Sequence, residues 1–302
     1  MTYHSGSRAV QDRVGVRDLA DHVGQAIGQG IRPVAAAFLE LQPMLIVGGA
    51  EPGGGGAPDG IGTPGGGAVW ASLLTGAPGF VRATGPHQIS VTRGLPPADP
   101  LAPALSVPGT PVGTLALDPR TRRRMRLNGR VRPTPRGFAV EAYQVFANCP
   151  KYLQKRESYE TVVERVPDAP RRSTELSVSQ REFIETADTF FLATVHAHGA
   201  DASHRGGNPG FVHAESPYEL SWRDYPGNSM FLTLGNLAAD PRAGLLFLDW
   251  RTGTTLQLTG EAHTEYAPDG ERTVRFTLTE VIESPTASPL RWSAPEYSPA
   301  NP

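Results

Sequence analysis

Cysteine is almost missing from this 302-residue chain: Cys149 stands alone. That excludes an internal disulfide and any zinc site built from paired thiolates. Lysine is nearly as scarce. Lys151 and Lys155 are the only two, so positive charge rests on arginine, whose forked guanidinium suits bidentate phosphate recognition. Neither sign of charge dominates; a net charge of −2 gives no reason to expect nucleic acid or another polyanion as partner. No apolar run approaches the ~20 residues of a membrane span. The opening MTYHSGSRAVQDRVG lacks the apolar core of a secretory signal. The expectation is a cytoplasmic protein without membrane contact. Phosphate loop, dinucleotide fingerprint and nucleophile elbow are all missing, so a nicotinamide reductant, if used, would bind transiently. What remains, 39% apolar and 19% charged residues, is ordinary globular composition, and the length allows two modest domains.

The middle of the chain is written twice. Trp70 to Ala83 (WASLLTGAPGFVRA) reappears at Asp201 to Ala214 (DASHRGGNPGFVHA). Val112 to Val131 (VGTLALDPRTRRRMRLNGRV) reappears at Ala243 to Ala262 (AGLLFLDWRTGTTLQLTGEA). Both pairs share an offset of about 131 residues without a gap, which points to a duplicated domain. The expected layout is a first domain over 1–155, a linker rich in charge and proline over 156–176, and a second domain over 177–302.

Apolar spacing at Val16, Leu19, Ala20, Val23 and Ile27 predicts a helix ended by Gly28 and Gly30. Met44 to Val47 reads as a strand. Residues 48–67, dominated by Gly and Pro, read as a long surface loop rather than a lid. In the second copy, Ser179 with Glu182 suggests a capping box, and Phe190 to Val195, Ala243 to Leu248, Thr254 to Ala262 and Val274 to Leu278 suggest strands. Asn128-Gly129 looks like a hairpin turn, but its counterpart Thr259-Gly260 sits inside a continuous strand. A bulge that bends the sheet is the better reading at both places. The fold class expected is mainly β with a few helices: two tandem split β-barrels forming an internal pseudo-dimer. The Pro-rich tail from Ser284 should pack across the surface in extended form.

Ser203-His204-Arg205-Gly206-Gly207-Asn208-Pro209-Gly210 offers a hydroxyl, a guanidinium and paired glycines in what reads as a tight turn, suited to a phosphate. The first copy has Ser72, Leu73, Leu74, Thr75 and Gly76 there, so its charge is gone. Followed by Gly227 to Leu237 and Asp240 to Phe247, this stretch resembles the FMN-binding split barrels related to pyridoxamine 5'-phosphate oxidase. The resemblance covers about Phe190 to His263 and, more weakly, the first copy. It implies that Ser203 and Arg205 hold the FMN phosphate with Gly206 and Gly207, that Thr233 and Asn236 add donors, that Asn228 touches the isoalloxazine edge and that Thr255 contacts the flavin. Haem, a deazaflavin or FAD are the alternative cofactors. The pattern departs at Gly235, where relatives often carry Arg, and the substrate signature of the oxidase itself is missing.

Family members are usually homodimers with flavin at the interface. The resemblance therefore implies that the second copy grips the phosphate while the first covers the ring; further pairing of two chains stays open. Lys151, in Asn148 to Gln154, could reach flavin or substrate across that interface, and His204 and Lys151 are the candidate proton donors. The function implied is an FMN-dependent oxidoreductase acting on a small organic substrate, with a nicotinamide reductant or oxygen as partner. The alternatives are a non-catalytic binder, or a structural partner whose site has decayed. No metal site is expected: His196, His198, His204, His213 and His263 lack acidic or thiol partners at ligand spacing. Cys149 reads as a packed thiol. Arg122, Arg124 and Arg126 share one strand face, solvated or salt-bridged between domains, and lack the interleaved aromatics of a nucleic-acid surface.

Overall fold

The computed structural model describes residues 3–53, 66–147, 149–162, 169–197 and 199–302. Three helices come first, α1 (Ser5–Val14), α2 (Arg17–Gly24) and α3 (Pro33–Glu40). Then follow β1 (Met44–Ala50), β2 (Val69–Thr75), β3 (Val81–Gly85), β4 (Gln88–Val91), β5 (Pro111–Asp118), β6 (Arg123–Thr134) and β7 (Gly137–Ala147). Two short strands, β8 (Tyr159–Thr161) and β9 (Arg171–Ser173), lead to α4 (Val178–Thr186). The second set is β10 (Thr189–His196), β11 (Gly199–Gly206), β12 (Val212–Ala214), β13 (Glu219–Arg223), α5 (Leu232–Ala239), β14 (Arg242–Leu248), β15 (Thr255–Tyr266), β16 (Arg272–Ser284) and β17 (Leu290–Trp292).

The protein is mainly β, and its two large sheets have one topology. The first runs β2-β1-β5-β6-β7-β4-β3, the second β11-β10-β14-β15-β16-β13-β12. Replacing each strand of the first by its counterpart reproduces the second. Both sheets also shift register at the same repeat position, between Asn128 and Gly129 and between Thr259 and Gly260, as the bulge reading requires.

The strands that join the two sheets are apolar on both faces. In β1, Leu45 and Val47 enter the core of the first sheet, while Met44 and Ile46 enter a core shared with β10, β11 and β14. In β14, Leu245 and Phe247 face inward and Leu246 and Leu248 face the first sheet. Unbroken apolar runs, rather than alternation, are what strands buried on both sides require. Two glycines bring the sheets into backbone contact. A Cβ on Gly113 would lie 2.4 Å from the Ala202 nitrogen, and one on its repeat counterpart Gly244 would lie 2.5 Å from the Trp70 Cα.

Several local expectations change. The helix predicted around Val16 to Ile27 is the shorter α2, and α1 precedes it, with Gly15 in the left-handed region between them (φ 73°). Apolar periodicity misses α1 because its buried face is largely small or polar: Gly6, Ser7, Val10 and Gln11. The capping box belongs to Ser177 and Gln180, not Ser179 and Glu182. The segment read as a linker supplies β8, which pairs β17, and β9, which pairs β16. Residues 54–65 of the Gly-rich loop, 163–168 of that segment, Asn148 and His198 lie outside the described residues. No helix among the described residues is long and apolar enough to cross a membrane.

Candidate functional site

A cavity opens between the end of the second sheet and strand β6 of the first. Its accessible volume is about 110 Å³, and about 900 Å³ when the open, solvent-filled mouth is included. From the second half it takes His204, Arg205, Gly206, Trp222 and the 227–234 segment; from the first, Arg124, Arg126, Cys149, Lys151 and Tyr152.

Its floor is a cluster of cations and donors. Arg126 Nη1 donates to Asp201 Oδ2 at 2.9 Å, an ion pair buried between the halves. Arg124 Nη1 lies 2.6 Å from His204 Nδ1, and Arg124 Nη2 donates to the Cys149 carbonyl at 2.8 Å. Arg124 and Arg205 form no ion pair with a carboxylate among the described residues. Burial, then the charges of Arg126 and Arg205, pull the Arg124 pKa down to about 9. Arg205 is lowered chiefly by burial, opposed by Asp224. Asp224, the carboxylate on the cavity wall, is tied to Arg272 at 3.0 Å.

Five side-chain atoms around this cavity are sealed from solvent and have no hydrogen-bond partner among the described residues: Nε of Arg124, Arg126 and Arg205, Trp222 Nε1 and His204 Nε2. Four are obligatory donors. The fifth follows from its neighbour. A guanidinium can only donate, so His204 Nδ1 is the acceptor and Nε2 carries the proton. An unpaired buried donor costs about 1–3 kcal/mol, so five around one cavity favour acceptor oxygens beside them, of a ligand or of ordered water.

The backbone around the mouth is strained in the same place. Of the non-glycine residues with positive φ, Tyr152 (62°), Ser229 (59°) and Phe231 (53°) all line the cavity. Tyr152 donates from its hydroxyl to the Pro226 carbonyl at 3.0 Å, and its ring meets Tyr225 at 5.1 Å. Gly206 permits that crossing, since a Cβ there would lie 2.1 Å from the Tyr152 carbonyl oxygen.

The sequence-predicted residues divide. Arg205, His204, Gly206, Asn228, Thr233 and Lys151 line the cavity. Ser203 to Gly206 form strand β11 rather than a turn, because they pair residue by residue with β10. Ser203 is fully buried beneath the cavity, donates to the Leu192 carbonyl and meets Thr233 Oγ1 at 3.4 Å. Gly207 serves packing; a Cβ there would strike the Phe211 ring. Thr233 stands at the start of α5, one turn before Asn236, and Asn236 turns away from this cavity to bond His4 and Thr194. Thr255 pairs with Leu248 and Ser284, outside the cavity. Its place is taken by the residue 131 positions earlier, Arg124, because β6 of the first half lies across from β11 of the second. Cys149 is an exposed thiol on the rim, not a packed one.

His204 is held neutral by burial first and then by Arg124, Arg205 and Arg126, which lower its pKa well below 6.5. It therefore enters as a hydrogen-bond donor rather than a cationic acid. Its folded pKa lies below its unfolded one, so acidification favours the unfolded chain, which takes up the proton first. The stability that neutral His204 supports is complete above pH 6.5 and is lost as pH falls below it. A His204→Gln variant should show a flatter stability profile between pH 7 and 5, checked by urea melts at fixed pH.

Gly235, where an arginine was expected, has a packing role. A Cβ on Gly235 would lie 2.4 Å from Ser7 Cα, and one on Gly6 would lie 2.2 Å from the Gly235 carbonyl oxygen. The two glycines let α1 cross α5 at backbone contact. Gly235→Arg should expel α1, exposing Arg8 and Arg13 to rapid tryptic cleavage; unchanged cleavage would refute the packing role.

A family model described as pyridoxamine 5'-phosphate oxidase matches residues 176–291. The matched segment is less than half of the chain. It spans α4 to β17 and brings His204, Arg205, Trp222 and Thr233 to the cavity, while Arg124, Arg126, Lys151 and Tyr152 come from outside it. Among solved structures, the chain is similar to a putative pyridoxamine 5'-phosphate oxidase from Lactobacillus delbrueckii. The two share 16% identity over 36% of this chain and 94% of that one, with a TM-score of 0.30. It is also similar to an FAD-binding protein from Mycobacterium smegmatis (11% identity, 38% and 98% covered, TM-score 0.27). A third is an FAD-binding protein from Mesorhizobium loti (12% identity, 38% and 97% covered, TM-score 0.26). No curated protein matches the chain.

The equivalent region of the other half holds no such cluster. Leu73 and Leu74 replace His204 and Arg205, and Thr255 and Gln257 replace Arg124 and Arg126. Gln257 Nε2 donates to the Ala71 carbonyl and Ser72 Oγ, both at 3.0 Å, and Ser72 donates to Asp99 at 2.8 Å. Trp70, Leu101, Ala104 and Ile282 pack beside them.

Proposed function

We propose that this chain is a flavin-dependent oxidoreductase that binds one FMN per chain, its two halves acting as a duplicated split barrel paired within one polypeptide. The observation that carries this reading is the set of five buried, unpaired donors around one cavity, with no unpaired buried acceptor among them. A terminal phosphate supplies oxygens for such a set and charge for Arg124 and Arg205. Phe211, Trp222 and Tyr225 give the same cavity aromatic walls for a planar ring. Bound FMN would supply electron transfer; the protein's part is to bind it, orient it and leave an open face for a small substrate and a transient reductant or oxygen.

Two alternatives lose ground on specific atoms. Haem ligation through His204 conflicts with the Arg124 contact, which leaves a proton on Nε2 where iron would need a lone pair. A decayed structural partner would not keep Arg124 and Arg205 half-buried without a carboxylate partner among the described residues, since that arrangement destabilises the empty protein and leucine relieves it at the counterpart of Arg205 in the other half. The site's open rim carries Lys151, the remaining candidate to hold or move a proton.

Aerobic absorbance and fluorescence titration with FMN, riboflavin and FAD test the reading. Saturable binding of FMN, at least tenfold tighter than riboflavin, is expected, with bleaching by a nicotinamide reductant and recovery in air. Equal affinity for riboflavin would remove the phosphate from the argument. Binding without turnover would make the protein a carrier of the cofactor.

A further inference from the structure

The mouth of the cavity is crossed by a strap, residues 149–154, which follows β7 of the first half and lies over the end of the second sheet. Cys149, Lys151 and Tyr152 of this strap line the cavity. Arg124 holds the near end through the Cys149 carbonyl at 2.8 Å. Tyr152 sits at φ 62°, with its carbonyl oxygen against Gly206, its hydroxyl on the Pro226 carbonyl and its ring against Tyr225. A bulky residue keeps a left-handed backbone only where its surroundings over-determine it.

Part of that constraint comes from Gln154, which is 2% exposed and uses every hydrogen bond its amide can make. Its Nε2 donates to the Gly207 carbonyl at 3.1 Å and to the Tyr152 carbonyl at 3.2 Å. Its Oε1 accepts from the Ser298 backbone nitrogen at 2.7 Å and from Asn301 Nδ2 at 3.1 Å. A backbone N–H can only donate, so the amide has one orientation. Gln154 thus joins three segments: the strap, the chain two residues beyond Arg205, and the Pro-rich tail. The tail is held beside it at two more points. Lys155 and Glu296 exchange backbone hydrogen bonds at 2.9 and 2.8 Å, and Asn301 Nδ2 donates to Asn208 Oδ1 at 3.0 Å. Gln154, Ser298 and Asn301 all lie outside the cavity lining.

We infer that Gln154 is a positioning residue for this cavity. With the tail docked on its Oε1, its Nε2 holds the strap closed across the mouth, and ligand enters and leaves when strap and tail release together. Loss of either hold frees Tyr152 from its left-handed conformation, and the hydroxyl and ring contacts that bridge the two halves go with it. The choice of ligand probe rests on the flavin reading above; the motion of the strap does not.

The test uses the full chain: natural, Asn301→Ala, Gln154→Ala and the double variant. Stopped-flow fluorescence follows release of FMN and of riboflavin, and hydrogen–deuterium exchange follows the amides of residues 149–155 without ligand. Each single variant should release both flavins about tenfold faster and leave the ratio of their affinities unchanged, because the strap closes on either one and the phosphate contacts stay in place. The double variant should be no faster than Gln154→Ala, since the two changes act through one set of contacts. Strap exchange should rise in both single variants while exchange of β6 stays the same. Asn301 is half-buried on the tail, so Asn301→Ala should melt like the natural protein. If Gln154→Ala melts early, Ser298→Pro, which removes the other donor to Gln154 Oε1, takes its place. Natural rates of release and strap exchange in Asn301→Ala overturn the inference. So does a loss confined to FMN, which would put Gln154 among the phosphate contacts. If FMN fails to bind the natural protein, the flavin reading falls and strap exchange alone decides the role of Gln154: raised exchange upholds it, unchanged exchange ends it.

Discussion

Arg205→Leu should raise the thermal stability of the ligand-free protein while weakening FMN at least tenfold. Among the described residues the Arg205 guanidinium has no carboxylate partner and its Nε no hydrogen bond, and burial depresses its pKa. Replacing such a group by a well-packed apolar side chain removes a desolvation penalty and is often stabilising by about 1–4 kcal/mol. The protein itself contains the replacement: Leu74, the repeat counterpart of Arg205, is 3% exposed within the core of the first sheet. Phe211, Trp222 and Leu234 around Arg205 would receive a leucine well. The same change removes a charge-assisted contact to the ligand anion, a loss of about 1.5–3 kcal/mol. Riboflavin, which lacks the phosphate, should bind the variant as it binds the natural protein. Calorimetric melts of the ligand-free protein and titrations with both flavins check each arm. A fall in stability would mean that Arg205 serves the fold and not a ligand.

Gly244→Ala should be among the most damaging single substitutions in the chain, although it adds one methyl group. The new Cβ would stand 2.5 Å from Trp70 Cα and 2.5 Å from the Val69 carbonyl oxygen. Both are backbone atoms of β2, which is paired along its length to β1, so neither can swing aside as a side-chain tip would. Overpacking in a closed core costs about 1–3 kcal/mol, and more where backbone must move. A loss of about 3 kcal/mol in urea melts is expected. Any folded fraction should also bind FMN poorly, because Arg124 and Arg205 come from opposite sides of the joint that the methyl group prises apart. Gly85→Ala is the control: a Cβ there meets nothing within 4 Å, and its effect should be small. Equal melts for the two variants would refute the close backbone contact as the determinant of the joint.

Reading the sequence went furthest where the signal was periodic or repeated. The bulges at Gly129 and Gly260 were legible because one copy corrected the hairpin reading of the other. Arg205 and His204 were legible because the first copy lacks them. Helix α1 was not, since a helix whose buried face is glycine, serine and glutamine leaves no apolar period. Nor was the role of Gly235, because an absent side chain does not show which backbone will occupy the space. Nor was the place of Arg124 rather than Thr255 at the cavity, since it depends on β6 of the first half lying across from β11.

From sequence alone came the mainly β class, the repeat with its 131-residue offset, and the asymmetry that keeps cations in the later copy. These are properties of residue order, and pleat, bulge and charge follow locally from it. Only the tertiary structure decided that Arg124 and Arg126 line one cavity with His204 and Arg205, and that Thr255 and Asn236 lie outside it. Those facts depend on how one sheet is set against another. That setting is fixed by the approach of Gly113 to Ala202 and of Gly244 to Trp70, contacts between residues far apart in the chain that local pattern does not encode.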